Sequence, residues 1–432
     1  MTRSRIHGRD GSSQANRRPP VSRWLSLSLL IALAITFGGM LGARFSADNA
    51  NASTMLTQIP EFQVIEETYD LIRENYVLSE EFSDEELMYG AATGMVEALG
   101  DEGHSTFLTP VEADEFERSS RGELIGIGIQ VDTTGPQPVV VAPIDGSPAF
   151  EAGIRSGDVI LAVDGVQSTE VDPEELVDLI RGEAGTDVTL TLRHQDEAEP
   201  YTVTITRARI EIDPVSSLMM PNGVLWLRVS QFSAGATEGV VEALREGKAQ
   251  GMTGVILDLR NNPGGLVFEA IGIGSQFLPG GSVLYQEQNA DGSVHEVTTI
   301  GNSGEWQEGD LVVLINEGSA SASEIVSSGL RDNDRAELYG ETTFGTGTVL
   351  LPFELSGGSV ALLGTKLWLT ADGEQIWKRG VEPTTVISLE PGVSPKLPIE
   401  FETDSVSREQ LQSLEDTQLL SAYRELVPNA SS

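Results

Sequence analysis

Apolar positions follow a helical period in the stretch that begins near residue 60. In FQVIEETYDLIRENY, apolar side chains recur every three or four residues, which is typical of an amphipathic helix. The next stretch, SDEELMYGAATGMVEALG, starts with Ser83 as an N-cap, has Glu86 to complete a capping box, and ends at Gly100. The pattern predicts an N-terminal helical segment over residues 60–120, which we expect to pack or to pair with another subunit.

Between residues 122 and 209 the pattern changes to short β-type runs. LIGIGIQV, PVVVAPI, DVILAVDG, DVTLTLRH and YTVTITRA are separated by turn signals. One helix fits DPEELVDLIRG, with Asp172 as its cap and Pro173 at its first position. The sequence therefore predicts a small β-rich module with one helix over residues 122–209.

Strands and helices alternate over residues 211–390. VLWLRVS, GVILDLR and DLVVLIN read as strands, and each is followed by a helical stretch. This alternation predicts a parallel sheet covered by helices, interrupted by hairpins near residues 283–300 and 349–370. Residues 391–432 are expected to form a Pro-rich linker and an amphipathic helix, SREQLQSLEDTQLLSAYREL.

An apolar run without a charge extends from Trp24 to Ala43, after a basic segment at residues 1–23. About 20 apolar residues suffice for a helix that spans a bilayer. The basic residues predict a cytoplasmic N-terminus and a single-pass anchor over residues 24–43, with the bulk of the chain on the extracytoplasmic side. The alternative is a signal peptide cleaved near ANA, residues 50–52, which would leave a secreted or periplasmic protein.

The composition narrows the function classes. Acidic residues outnumber basic ones by 66 to 27, so the net charge is −39 and nucleic acid is not an expected partner. The chain has no cysteine, which excludes disulfides, thiolate zinc sites and cysteine nucleophiles. Its four histidines lie on different segments without ligand spacing, so we expect no metal and no other cofactor.

Three serines on alternate positions follow a predicted strand in LVVLINEGSASASEI, residues 311–325. Ser321 and Glu324 match a capping box, so one interpretation is that Ser321 only caps a helix. The other is that a serine here is a nucleophile, since the helix N-terminus offers N–H groups to a developing oxyanion.

Two further turns have unusual compositions. LDLRNNPGG, residues 257–265, leaves a predicted buried strand, and its backbone can present amides to a carbonyl oxygen. GETTFGTGTVL, residues 340–350, places glycines on both sides of Thr346. An ordinary strand–helix loop remains an alternative for the first turn.

The motifs INEGSASASEI, LDLRNNPGG, ETTFGTGTVL and EQIWKRGVEP resemble the signature blocks of the C-terminal (tail-specific) processing serine peptidases. GMVEALGDEGHSTFL is similar to the N-terminal helical segment of that family, and residues 122–209 resemble its PDZ domain. The resemblance implies an α/β fold with a crotonase-like peptidase core, an inserted β-rich PDZ domain and an N-terminal helical segment.

The resemblance also implies roles for individual residues. Ser321 would be the nucleophile, and the amide of Ala322 with one from Gly264 or Gly265 would form the oxyanion hole. The PDZ domain would bind a peptide by strand addition and capture its C-terminal carboxylate with backbone amides. The residues implied for this peptide site are Gly126, Ile127, Gly128 and Ile129.

The chain departs from the family at the general base. The family has a lysine in a phrase like F-G-K-G-[ST]-V-Q, whereas this chain has Thr346 at the lysine position and Leu350 at the glutamine position. Lys366, on a strand that follows the altered turn, is a possible substitute base. His104 and His295 are weaker candidates, because one lies in the helical segment and the other in a hairpin.

Two functions therefore stay open. The first is a serine endopeptidase that cleaves extracytoplasmic or unfolded proteins near their C-termini through Ser321 and an alternative base. The second is a non-catalytic relative that binds protein C-termini without turnover. A homodimer through the N-terminal helices is an additional expectation.

Overall fold

The computed structural model describes residues 59–101, 104–133, 137–144, 146–155, 157–194, 199–301, 304–390, 393–401 and 405–428. The predicted basic segment and the apolar run at residues 24–43 lie outside these ranges. Within the described ranges, no helix combines the length and the apolar character needed to cross a membrane.

The N-terminal segment is largely helical. Its elements are α1 (Phe62–Asn75), α2 (Asp84–Glu97), β1 (Thr106–Leu108) and α3 (Pro110–Ser120). Ser83 and Glu86 form the predicted capping box at the start of α2. Neither α1 nor α2 has a buried residue, and Leu71 of α1 and Met95 of α2 are 62% and 57% exposed. These two helices therefore present apolar side chains to solvent.

A six-stranded sheet and two helices follow. The elements are β2 (Glu123–Gly126), β3 (Ile129–Asp132), β4 (Val139–Pro143), α4 (Pro148–Glu151), β5 (Val159–Val163), β6 (Val166–Gln167), α5 (Pro173–Ile180), β7 (Asp187–Arg193), β8 (Tyr201–Thr206) and β9 (Ala208–Glu211). The sheet has the order β3-β4-β5-β7-β8, with β6 on β5, so β3 lies at its edge. Strands β2 and β9 pair only with each other and form the two-stranded ribbon through which the chain enters and leaves this module.

The remaining chain forms the α/β core. Its elements are β10 (Val215–Met220), β11 (Val224–Val229), α6 (Ala236–Ala249), β12 (Gly254–Asp258), α7 (Val267–Phe277), β13 (Val283–Gln288), β14 (Val294–Thr298), β15 (Asp310–Ile315), α8 (Ala322–Asp332), β16 (Glu337–Gly340), β17 (Thr348–Glu354), β18 (Val360–Leu369), β19 (Thr385–Val386), α9 (Arg408–Gln412) and α10 (Thr417–Leu426).

The central sheet has the order β10-β11-β12-β15-β16-β19 and is parallel except for β10. Alternate residues of a strand face opposite sides, so Leu225 and Leu227 pack with α6, α7 and α8, whereas Trp226 packs with Leu419 of α10. Each such fully buried side chain stabilises the fold by about 1.5–3 kcal/mol. The C-terminal helix is thus the second covering layer of the sheet.

A second sheet contains both regions that the sequence predicts as hairpins. Strands β13 and β14 are antiparallel, as are β17 and β18, and the sheet has the order β1-β18-β13-β14 with β17 on β18. Because β1 belongs to the N-terminal segment, that segment is joined to the core through β18.

Candidate active site

The turns after β12 and β15 meet at the carboxyl ends of these neighbouring strands. The Ala320 N–H and the Ser323 hydroxyl both donate to the carbonyl oxygen of Asn262, at 3.0 and 2.8 Å. The Ser319 hydroxyl donates to the carbonyl oxygen of Leu259 at 2.8 Å. The structure therefore brings together LDLRNNPGG and the serine turn, two motifs that lie more than 50 residues apart.

Ser321 directly precedes α8 and has an unusual backbone conformation. Its φ and ψ are 54° and −115°, a region that favours glycine, and the residue is 1% exposed. Its hydroxyl has no hydrogen-bond partner among the described residues. A capping side chain requires extended backbone, so here the Glu324 N–H bonds to the Ser321 carbonyl oxygen at 2.9 Å instead. Of the two interpretations, the one in which the Ser321 hydroxyl caps α8 is therefore wrong, although the Glu324 carboxylate does accept from the Ser321 N–H as in a capping box.

Gly264 packs directly against the serine turn and Gly265 packs against Phe232, and their φ angles are 102° and 138°. A Cβ atom on Gly264 would lie 2.6 Å from the Ser321 Cβ and 2.9 Å from the Ala322 nitrogen. Among the described residues, no acceptor is hydrogen-bonded to the N–H of Ala322 or Gly265. These N–H groups are therefore free to donate to a ligand.

The third motif turn approaches Ser321 from the other side. The Thr346 hydroxyl oxygen accepts a hydrogen bond from the Ser321 N–H at 3.1 Å, and Thr346 is 4% exposed. Leu350 is buried and packs with Leu108 and Leu362 rather than with a polar group. At Gly345, a Cβ atom would lie 2.7 Å from the Gly380 nitrogen, which fixes the path of this turn.

Glu324 holds the serine turn and the Thr346 turn together. One carboxylate oxygen accepts from the Thr343 hydroxyl and the Gly345 N–H, at 2.6 and 2.7 Å. The other accepts from the N–H groups of Ser321 and Thr346, at 2.8 and 3.0 Å. Burial raises the pKa of Glu324, and its hydrogen bonds reverse only part of this effect. The capping-box motif was the sequence signal for this carboxylate, but not for its contacts with the third turn.

Lys366 does not lie at Ser321. Its ammonium group pairs with the carboxylate of Glu287 on β13, and the Tyr285 hydroxyl donates to the same carboxylate at 3.1 Å. The structure therefore places Lys366 in an ion pair and does not bring it together with the Ser321 hydroxyl.

The two other candidate bases differ in position. His104 is 2% exposed and stacks on Trp377 with ring centroids 4.6 Å apart, and its ring lies 6.3 Å from that of Phe344. It is thus packed against the turn that carries Thr346, although the sequence places it in the helical segment. His295 is exposed on β14. In the described part of the chain, no three carboxylate or imidazole groups lie close enough to hold a metal ion.

The predicted peptide site lies where the ribbon enters the six-stranded sheet. The carbonyl oxygens of Ile127 and Gly128 accept from the N–H groups of Ala149 and Ile144, at 2.9 and 2.8 Å. Gly128 has a φ of 79°, and a Cβ atom there would lie 2.3 Å from the Ser147 Cβ. This loop is thus fixed against α4, and Ile129 begins the edge strand β3.

Comparisons with known proteins agree with this arrangement. Residues 223–387 match the family model of peptidase family S41, residues 139–194 match a PDZ domain, and residues 31–108 match the activating protease CtpB N-terminal domain. The chain is 34% identical over 374 residues to a carboxyl-terminal-processing protease of Synechocystis sp., an alignment that covers 84% of this chain and 86% of the relative.

Two further proteins support the same assignment. The carboxy-terminal processing protease CtpA of Bacillus subtilis is 35% identical over 323 residues, which cover 75% of this chain and 68% of the relative. The solved structure of a photosystem II D1 C-terminal processing protease has a TM-score of 0.50 and 28% identity, and covers 77% of this chain and 88% of that protein. With its PDZ domain and its α/β core, this chain belongs to the carboxyl-terminal processing proteases of peptidase family S41.

Proposed function

We propose that this chain binds the C-termini of loosely folded extracytoplasmic proteins and does not hydrolyse them at an appreciable rate. The observation that carries the proposal is the state of Ser321, whose hydroxyl has no proton acceptor among the described residues. Thr346 stands where the family resemblance expects the base, and its oxygen is already bonded to the Ser321 N–H.

Hydrolysis by Ser321 depends on the removal of one proton from its hydroxyl. A serine hydroxyl attacks a peptide carbonyl only if a nearby group accepts its proton, and a threonine hydroxyl does not do so near neutral pH. Loss of a general base lowers the rate by roughly 100- to 10,000-fold, and by more when the catalytic groups act as a unit. The ion pair of Lys366 with Glu287 supports the view that this lysine does not replace the missing base.

Other parts of the site support retained binding. The N–H groups of Ala322 and Gly265 can donate to a peptide carbonyl, and the edge of β3 can accept an additional strand. Both interactions use backbone groups and need no proton transfer. A polypeptide with an apolar C-terminus could therefore be held by the PDZ domain and by the core without being cleaved.

The test is an assay of the full chain with an unstructured protein that ends in apolar residues. We expect binding without cleavage, and cleavage to appear in Thr346→Lys or in the double variant Thr346→Lys/Leu350→Gln. Thr346→Met is the matched control, because it adds length without an amine and should stay inactive. Cleavage by the unaltered chain that is lost in Ser321→Ala would overturn the proposal.

His104 provides a second candidate function, an active serine peptidase with a histidine base. The observation in its favour is the burial of the imidazole against Trp377 and Phe344, beside the Thr346 turn. In that case the unaltered chain would cleave, and His104→Gln would abolish the cleavage. Lys366→Met would leave this activity unchanged.

The exposed apolar side chains of α1 and α2 support a homodimer through these helices. Val64→Asp combined with Leu71→Asp should shift the mass measured by sedimentation towards the monomer. The double variant Glu66→Gln/Asp70→Asn, on the same helix, should not. The apolar run at residues 24–43 supports an extracytoplasmic location, as an anchored or as a cleaved form.

A further inference from the structure

A fully buried charge network connects the C-terminal segment to the turn that packs against Ser321. Arg260 lies in the turn after β12, and its side chain is 0% exposed. Its guanidinium group donates to both carboxylate oxygens of Asp416, at 2.9 and 2.8 Å, and to the Gln418 side-chain oxygen at 3.1 Å. It also donates to both oxygens of Asp258, at 2.9 and 2.7 Å. These contacts join residues about 150 positions apart in the sequence.

The charges of this network balance. Arg228 donates to the Arg260 carbonyl oxygen at 3.0 Å and lies 3.7 Å from Asp258, so two arginines face two aspartates. Burial alone would lower the pKa of Arg260, but Asp258 and Asp416 raise it above its usual value. Removal of one partner from such a buried group leaves a charge without compensation, whereas loss of an exposed partner has little effect.

Asp416 has more than one structural task. One of its oxygens accepts from the Leu419 N–H at 2.9 Å and thereby caps α10, and the other accepts from the Lys396 N–H at 3.0 Å. The same two oxygens hold Arg260. One carboxylate therefore contacts both the start of α10 and the Arg260 side chain, which Asp258 holds from the other side.

The residues that follow Arg260 form the turn beside the nucleophile position. Asn261 has a φ of 54°, and its N–H donates to the Asn316 side-chain oxygen at 2.7 Å. Asn262 accepts the Gly264 N–H at 2.8 Å, and Gly264 packs on Ser321. A turn with a strained residue keeps its shape only when the surrounding structure fixes it. Asn316 and Arg260 anchor the start of this turn, and Phe232, whose N–H donates to the Gly264 carbonyl oxygen at 2.8 Å, anchors its end.

We propose that Asp416, acting through Arg260, is a positioning residue for the turn that places Gly264 and Gly265 beside Ser321. Docking of the C-terminal helix then sets the geometry of the N–H groups that a bound peptide carbonyl would meet. This inference rests on the proposed function in one respect, which is that these N–H groups donate hydrogen bonds to a bound peptide.

The test compares two changes that both loosen the C-terminal helix. Asp416→Asn keeps an N-cap but removes the charge that faces Arg260, whereas Leu419→Ala removes packing of α10 and leaves Arg260 untouched. Amide hydrogen exchange of residues 259–266 is measured in the full chain, under conditions where both variants lie equally far below their melting temperatures. We expect exchange in this turn to be at least about tenfold faster in Asp416→Asn than in Leu419→Ala.

Two further variants serve as controls, one that keeps the negative charge at Asp416 and one that removes a weaker contact of Arg260. Asp416→Glu should restore slow exchange, and Gln418→Leu, which keeps both aspartates, should speed exchange by a smaller factor in the same turn. If Asp416→Asn does not fold, Gln418→Leu compared with Leu419→Ala gives the answer. Equal exchange in the variants at matched stability would mean that Asp416 only stabilises the fold, and would overturn the inference. Cleavage by the unaltered chain would overturn the proposed function and leave this result standing.

Discussion

Two fully buried carboxylates, Glu324 and Asp258, anchor the turns that meet at Ser321, and they are stabilised in opposite ways. Glu324 accepts four hydrogen bonds from backbone and hydroxyl groups, with no cation among its described partners, and burial raises its pKa. For Asp258, burial acts in the same direction, but Arg260 and Arg228 hold the pKa below its usual value. Neutral donors thus offset only part of the loss of hydration of a buried carboxylate at Glu324, whereas the cations beside Asp258 more than offset it.

The largest expected difference concerns stability. Asp258→Asn leaves Arg260 and Arg228 with one aspartate fewer and should lower the free energy of unfolding by about 3–5 kcal/mol. Glu324→Gln exchanges one acceptor oxygen for an NH₂ group that faces two hydrogen-bond donors, and should lower it by about 2 kcal/mol. Equilibrium unfolding in urea measures both values. A cost for Glu324→Gln as large as that for Asp258→Asn would contradict the comparison.

The second difference between Glu324 and Asp258 is the direction in which their contributions to folding stability change with pH. The raised pKa of Glu324 means that the folded state keeps a proton that the unfolded state releases, so this residue's contribution to stability falls as the pH rises above about 4.3. The lowered pKa of Asp258 gives a contribution that is present above about pH 3.9 and is lost as the pH falls further.

Unfolding free energies measured against pH for the unaltered chain and for each variant separate these contributions. The slope for one proton is at most about 1.4 kcal/mol per pH unit. The stability of the unaltered chain relative to Glu324→Gln should decrease with pH, and its stability relative to Asp258→Asn should increase. Slopes of the same sign would show that the cations do not distinguish the two carboxylates.

The smallest expected effect on stability comes from the strained backbone of Ser321, which the contacts of Glu324 keep in place. Ser321→Gly should raise the free energy of unfolding by about 1 kcal/mol, because relief of the positive φ exceeds the added entropy of the unfolded chain. Ser321→Ala keeps the Cβ atom and should be neutral. Thermal unfolding of the two variants is the measurement, and equal melting temperatures would mean that the turn is not strained.

The periodic parts of the molecule could be predicted from the sequence. The alternation of strands and helices, the β-rich module and the family motifs indicate the fold, because they depend on local pattern and on residue types at short spacing. The three turns that contain Ser321, Gly264 and Thr346 stand out because their composition is unusual by itself. The resemblance to the family then implied the roles of these residues within the turns.

What the sequence could not give are contacts that depend on side-chain direction or on distant residues. The capping-box motif predicts a bond from the Glu324 N–H to the Ser321 hydroxyl, and only the backbone conformation shows that this bond is replaced. The pairing of Arg260 with Asp416 joins distant segments that carry no shared pattern. The burial of His104 against Trp377 likewise depends on how the helical segment packs on the core.

The ribbon of β2 and β9 has a consequence for engineering. Gly126 and Ala208 are direct partners in its register, so the two points where the chain enters and leaves the PDZ module lie about 5 Å apart. A module with adjacent ends can be exchanged without moving its host. A short turn from Gly126 to Ala208 would close the core as a domain of its own. Another ligand-binding domain with neighbouring termini, grafted at the same pair, would join the core to a sensor of chosen specificity.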